Sequence, residues 1–99
     1  MTNDFQPPYY AVIFTSTLKP NAKGYEAMAK KMLELLKKQP GFLGVDSVRD
    51  GLGITVSYWK TLADIKRWKM HPEHQLAIHK GKNLWYDTYA LRICKVSKP

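Results

Sequence analysis

The stretch Phe42–Trp59, FLGVDSVRDGLGITVSYW, reads as two strands and the turn between them. Phe42 to Arg49 and Leu52 to Trp59 are rich in β-branched and aromatic side chains, and Asp50-Gly51 separates them. Asp-Gly between two such runs is a strong hairpin signal, because glycine accepts the positive φ that a tight turn requires. Upstream, Tyr9 to Ser16 (YYAVIFTS) is apolar on both sides of its alternation, which predicts a strand covered on both faces. Asn21 and Gly24 then precede an amphipathic helix. Tyr25, Met28, Ala29, Met32, Leu35 and Leu36 recur at helical spacing, with Lys30, Lys31, Glu34, Lys37 and Lys38 on the other side. Gln39-Pro40-Gly41 ends it, since the residue before proline is disfavoured as helix.

Downstream, Thr61 with Asp64 three residues later resembles a capping box that opens a helix carrying Leu62, Ile65 and Trp68 on one stripe. Pro72 and Glu73 suit the first turn of a further helical stretch running to about Lys80, with Gly81 as its terminator. Tyr86 to Val96 is the last strand, and its two faces, Tyr89-Leu91-Ile93 and Ala90-Cys94-Val96, are again mostly apolar. The order is β-α-β-β-α-β. That predicts an α+β, ferredoxin-like fold: a four-stranded antiparallel sheet with its helices on one face. Helices on one face leave the other uncovered, yet the strands are apolar on both. A homodimer through the open sheet face is the simplest consequence.

Composition narrows the function. The 99 residues suit one domain, expected over 9–97 after a flexible lead of residues 1–8. An apolar fraction of 44% excludes a disordered basic tail. Lone Cys94 forms no internal disulfide, no apolar run approaches a membrane span, and the N-terminus lacks the order of a signal peptide. A cytoplasmic protein without membrane attachment is the expectation. Of the 16 Lys and Arg, only Arg49, Arg67 and Arg92 are Arg, and the lysines are spread along the chain in pairs. Nucleic-acid readers concentrate their cations and lean on Arg, so the net charge of +8 points to solvated helix faces and a small anionic or aromatic ligand, not to nucleic acid.

Ser57 to Tyr89 holds all three Trp and all three His, together with Tyr58, Tyr86 and Tyr89. Aromatics interleaved with imidazoles are the composition of a pocket for a planar organic ligand. His71, His74 and His79 are three and five residues apart, which does not bring them to one helix face as a metal set, so no metal site is expected. As general bases they are suitable, and His74, six residues after Trp68 and leading into Leu76-Ala77, is the first candidate. Cys94, in mid-strand, is expected as a buried small hydrophobe.

The run PGFLGVDSVRDGLGITVSYWKTLADIKRWKMHPEHQLAIHKG followed by LWYDTYALRICKV resembles the antibiotic biosynthesis monooxygenase domain family, across Tyr9 to Val96. Its most specific parts are Pro40-Gly41-Phe42, Ser57-Tyr58-Trp59, Trp68 to His74 and Trp85-Tyr86. The resemblance implies a dimeric α/β barrel. The known enzymes of that family include cofactor-free monooxygenases of polycyclic phenols and anthrones and haem-degrading oxygenases, and many members, among them the small bacterial branch this chain resembles, have no known activity. In the haem-degrading branch Trp68 matches the functional Trp, but the histidine position falls on Ile78 beside His79, and Thr15 and Ser16 stand where an Asn is required. That branch is therefore the lesser alternative. For the monooxygenase branch the expected catalytic residues are His74, Trp68 and Tyr86, with Trp59, Tyr58, His79 and Trp85 around the substrate and no cofactor. A non-catalytic, dimeric small-molecule-binding module is the other alternative.

Overall fold

The computed structural model describes residues 5–98, so residues 1–4 of the expected flexible lead lie outside it. Four strands, β1 (Tyr9–Leu18), β2 (Phe42–Asp50), β3 (Leu52–Trp59) and β4 (Tyr86–Val96), and helices α1 (Tyr25–Leu36), α2 (Leu62–Lys69) and α3 (Pro72–Lys80) follow in the order β1-α1-β2-β3-α2-α3-β4. The strands form one antiparallel sheet in the order β2-β3-β1-β4, the ferredoxin-like arrangement. The hairpin register pairs Arg49 with Gly53 and Asp50 with Leu52, so the reversal is centred on Gly51, whose φ is 78°.

Local chemistry sets the helix ends. Thr61 Oγ1 accepts from the backbone N–H of Asp64 at 3.1 Å and donates to the Asp64 carboxylate at 2.7 Å. This is a capping box in which the acidic side chain takes the hydroxyl proton instead of a backbone N–H. The same carboxylate receives Arg67 at 3.0 Å and lies against Gly41, whose φ is 78° and where any Cβ would overlap it. The stripe expected on α2 is narrower than its sequence suggests: Ile65 and Trp68 are buried, whereas Leu62 is exposed. Between α2 and α3, Pro72 holds His71 extended, and the His71 imidazole becomes the cap of α3 by accepting the Glu73 N–H at 3.1 Å.

Gly81 does not terminate the chain's helical course. It stays right-handed (φ −58°) and opens a π-helical turn, Gly81–Trp85, that leads directly into β4. The reason lies in what the turn packs. Without a Cβ, Gly81 leaves room for the Tyr86 ring, and the turn drives Trp85 inward, where its indole N–H donates to the Lys23 carbonyl at 2.9 Å. Lys19 N–H in turn donates to Trp85 O at 2.7 Å, so the turn clasps the β1–α1 loop.

All helices lie on one face of the sheet. The core on that side is Leu36, Trp59, Ile65 and Trp68, with Tyr10, Val12, Met32, Leu35, Phe42 and Val45 around it. Lys30 and Lys31 are exposed on α1, as its amphipathic pattern requires, and Lys37 and Lys38 are exposed just past its end. On the opposite face Phe5 packs inward, against Tyr9, Tyr58 and the backbone of Gly44. Ile13, Ile54 and Val56 stay partly exposed there, and Val48 is 64% exposed. Cys94, on the same face, is exposed and not buried, because β4 is an edge strand and among the described residues no second layer covers it.

Candidate functional site

Alternation along a strand decides which candidates can meet, since neighbouring residues point to opposite faces. Trp59 points to the helix side and is fully buried, its indole N–H donating to Ser57 Oγ at 2.9 Å. Tyr58 points to the outer face, where its hydroxyl donates to Asp46 Oδ2 at 2.9 Å and its ring meets Phe5 and Tyr9. Burial first, then that hydrogen bond to Asp46, raises the Tyr58 pKa above the ordinary 10.0. Position along the strand separates others. Tyr10 pairs with Trp59 and Leu18 with Tyr86, eight residues or about 26 Å apart along β1. Trp59 and Tyr86 therefore stand at opposite ends of the sheet.

Two constellations result on the helix side. In the first, the His74 ring stacks on Trp68 with centroids 4.2 Å apart and planes at 13°, while His71 lies 5.5 Å from the same indole. His74 Nδ1 lies 3.0 Å from the Trp68 carbonyl. A carbonyl only accepts, so Nδ1 carries the proton and Nε2 keeps its lone pair. His71 has the complementary tautomer, because its Nδ1 is the acceptor in the α3 cap. Burial lowers the His74 pKa below the ordinary 6.5, outweighing the bond to Trp68 O, and the neighbouring His71 lowers it further. The imidazole is thus neutral at pH 7.

This makes a stability prediction. Below pH 6.5 the unfolded chain takes up a proton at His74 before the folded chain does, so folding weakens as pH falls from that point. Replacing His74 by Asn keeps an N–H for the Trp68 carbonyl but removes the titration. Thermal melts between pH 7 and pH 5 should show a shallower loss of Tm in His74→Asn than in the parent chain.

The second constellation surrounds Tyr86. Its ring sits 5.3 Å from Phe14, 6.1 Å from Tyr25 and 6.0 Å from Tyr89, over Gly81. Burial, reinforced by Tyr25 and opposed by Arg49, pushes the Tyr86 phenol up to about 12, so it stays a hydrogen-bond donor. Arg49 lies beside it, held by Ser16 and Tyr25. Trp85 meets Tyr25 edge-on at 5.8 Å. His79 stays on the exposed side of α3 with Asn83. Sequence reasoning singled out Tyr86 but not Tyr25, Arg49 and Phe14. The one local signal was Gly53, since a glycine inside a strand marks the close approach of another group.

The two constellations share one helix. His74 and Gly81 are seven residues apart on α3 and its continuation, two turns along one face and about 10 Å in length. His74, stacked on Trp68, thus stands at one end of the strip that α3 and its continuation form, and Tyr86, packed on Gly81, at the other. Beyond it the helix layer stops short of β4, where Tyr89, Leu91 and Ile93 are each about half exposed on the helix side.

The family model for antibiotic biosynthesis monooxygenases matches residues 8–80, nearly three quarters of the chain. The chain belongs to that family. It is 53% identical over 95 residues to the uncharacterised protein YqjZ of Bacillus subtilis, covering 94% of this chain and 83% of that one. A putative antibiotic biosynthesis monooxygenase from Nitrosomonas europaea superposes with a TM-score of 0.80 at 15% identity, over 96% of each chain. SnoaB, a cofactor-independent oxygenase from Streptomyces nogalater, superposes with a TM-score of 0.78 at 12% identity, over 94% of this chain and 97% of its own. At those identities the two solved structures establish the shared ferredoxin-like fold. The family match ends at residue 80, so it takes in Trp68 and His74 but not Tyr86.

Proposed function

We propose that this antibiotic biosynthesis monooxygenase family member is a cofactor-independent oxygenase that oxidises a small aromatic, phenolic or quinol-like substrate with dioxygen, in a cytoplasmic setting. The observation that carries the reading is the Trp68–His74 stack: a neutral imidazole, fixed at Nδ1 and with no bond at Nε2 among the described residues. No fully buried side-chain nitrogen or oxygen among those residues lacks a partner, so Nε2 reaches accessible space. A base in that state and at that position is what proton removal from an acidified ring C–H or O–H needs.

The chemistry balances without another reductant. His74 Nε2 takes the proton, and the resulting carbanion or phenolate passes an electron to dioxygen. Recombination gives a peroxide on the substrate carbon. Loss of water from it turns a ring CH2 into C=O, with the second oxygen atom leaving in the water and the substrate supplying all four electrons. Tyr86, kept protonated by burial, donates to the oxyanion that develops on the ring oxygen. With about 10 Å between His74 and Gly81, a fused polycyclic substrate bridges both ends better than a single ring. Trp68 and Trp85 give the strip its apolar, positioning walls. Trp59, fully buried, Tyr58, on the outer face, and His79, on the exposed side of α3, lie outside it. The test is oxygen uptake with anthrone.

A second reading, a dimeric module that binds such a molecule without oxidising it, is favoured by the apolar surface that Tyr89, Leu91 and Ile93 leave about half exposed on the helix side. That reading predicts ligand-induced stabilisation with no product. In both readings the folded unit is two chains joined through the open sheet face, where Ile13, Ile54, Val56 and Val48 lie outside the helix layer. Sedimentation should give twice the 11.4 kDa chain mass, and Val56→Glu should halve it; a monomer at micromolar concentration contradicts this part of the account.

A further inference from the structure

Arg49 is a strand residue whose head group has travelled. Its partner in the register is Gly53, and because that position has no Cβ the guanidinium lies flat across β3 to reach Ser16 on β1, two strands away and about 10 Å off. There Nη1 donates to Ser16 O at 3.0 Å, and Nη2 donates to Ser16 Oγ at 2.7 Å and to Tyr25 Oη at 3.1 Å. The Tyr25 ring covers the guanidinium at 5.2 Å. Ser16 is 1% exposed, so the anchor is part of the core and not a surface contact. Two features of this arrangement are unexplained by folding alone. Neither ion pair among the described residues involves Arg49, which leaves a partly buried cation without a carboxylate. Three of its five N–H groups are used, so Nε–H and one Nη1–H remain.

The neighbours point the same way. The Tyr25 oxygen is occupied as an acceptor, which leaves its O–H to donate outward, and the Tyr86 phenol is a donor that no group among the described residues takes up. Lys82 Nζ stands 5.9 Å from the Tyr89 ring at the same end. The site therefore offers donors and positive charge, no carboxylate paired with Arg49 among the described residues, and the flat faces of Tyr25, Tyr86 and Phe14. We infer that Arg49, Tyr25 and Tyr86 form a recognition site for an anionic oxygen borne on an aromatic ring, and that the ligand of this protein carries such a group. This rests on the reading above for its place on the helix side of the sheet, and it adds the substrate's charge.

The test uses 2-naphthoate and its uncharged isostere 2-naphthamide, with binding followed by calorimetry and by Trp85 fluorescence. The parent chain should bind naphthoate at least about tenfold tighter than the amide, as charge-assisted bonds require. Arg49→Met should abolish that preference, with circular dichroism and a cooperative thermal transition reporting that the variant is folded. Tyr25→Phe keeps the cation and should reduce the preference about threefold. Equal affinity for acid and amide in the parent chain, or an undiminished preference in a folded Arg49→Met, overturns the inference. Failure of the oxygenase reading looks different: naphthoate preference intact and no oxygen consumed would uphold this site and remove that activity.

Discussion

Trp59→Ala is expected to lower the unfolding free energy by about 3–5 kcal/mol, a large share of the stability of a chain this size. Trp59 is fully buried at the centre of the helix-side core, with Phe42 edge-on at 5.7 Å and Leu36, Ile65 and Trp68 around it. Removing the indole forfeits its burial and opens a cavity that three elements line, and their backbones cannot all close on it. Ser57 also loses the indole N–H that its hydroxyl accepts while only 9% exposed. Trp59→Phe should cost less, about 1–3 kcal/mol, because the ring is kept and only the hydrogen bond and part of the volume go. Urea midpoints at one fixed protein concentration measure both, the concentration mattering because dimerisation would add to apparent stability. Equal midpoints for the two variants would mean that the core does not depend on the indole as the packing indicates.

His74→Asn is expected to reduce turnover by about 10²–10⁴-fold, the usual worth of a positioned general base. Asn keeps a donor for the Trp68 carbonyl and so preserves the local fold, while removing the Nε2 lone pair. The rate of the parent chain should fall on the acid side of a pKa below 6.5, since burial holds the imidazole neutral to lower pH than usual. Trp68→Phe should weaken substrate binding more than it slows the reaction, as the stacking surface is reduced but the base remains. Tyr86→Phe should cost about tenfold or more, the loss of one donor to the oxyanion. A folded His74→Asn with unaltered turnover would take the base from His74 and leave the fold account untouched.

Much of the architecture was legible because it rests on local rules. Asp50-Gly51 between two β-rich runs, the 3.6-residue stripe of α1, the Thr61–Asp64 cap and Pro72 in the first turn of α3 each act within a few residues of themselves. The π-helical turn was not legible, because Gly81 is a stop signal by its neighbours and a packing residue by its contact with Tyr86, five residues ahead. The site divides in the same way. Trp68 and His74 share a short segment, and their stack follows from how Pro72 sets α3 against α2. Trp59, Tyr58 and Tyr86 are close in composition but separated by strand alternation and by eight residues of β1 register. Arg49 was hidden because its reach onto Ser16 depends on Gly53 in another strand, a pairing that exists only once the sheet is assembled.

If the helix side of this sheet performs oxygenation with its own residues, oxygen uptake with anthrone, followed by electrode and by chromatography of the product, will show it. The parent chain, with no cofactor added, should consume one dioxygen per anthrone and release anthraquinone well above the spontaneous rate, and His74→Asn should return uptake to nearly that background. Uptake no faster than buffer alone, or equal in the parent chain and in folded His74→Asn, would contradict it.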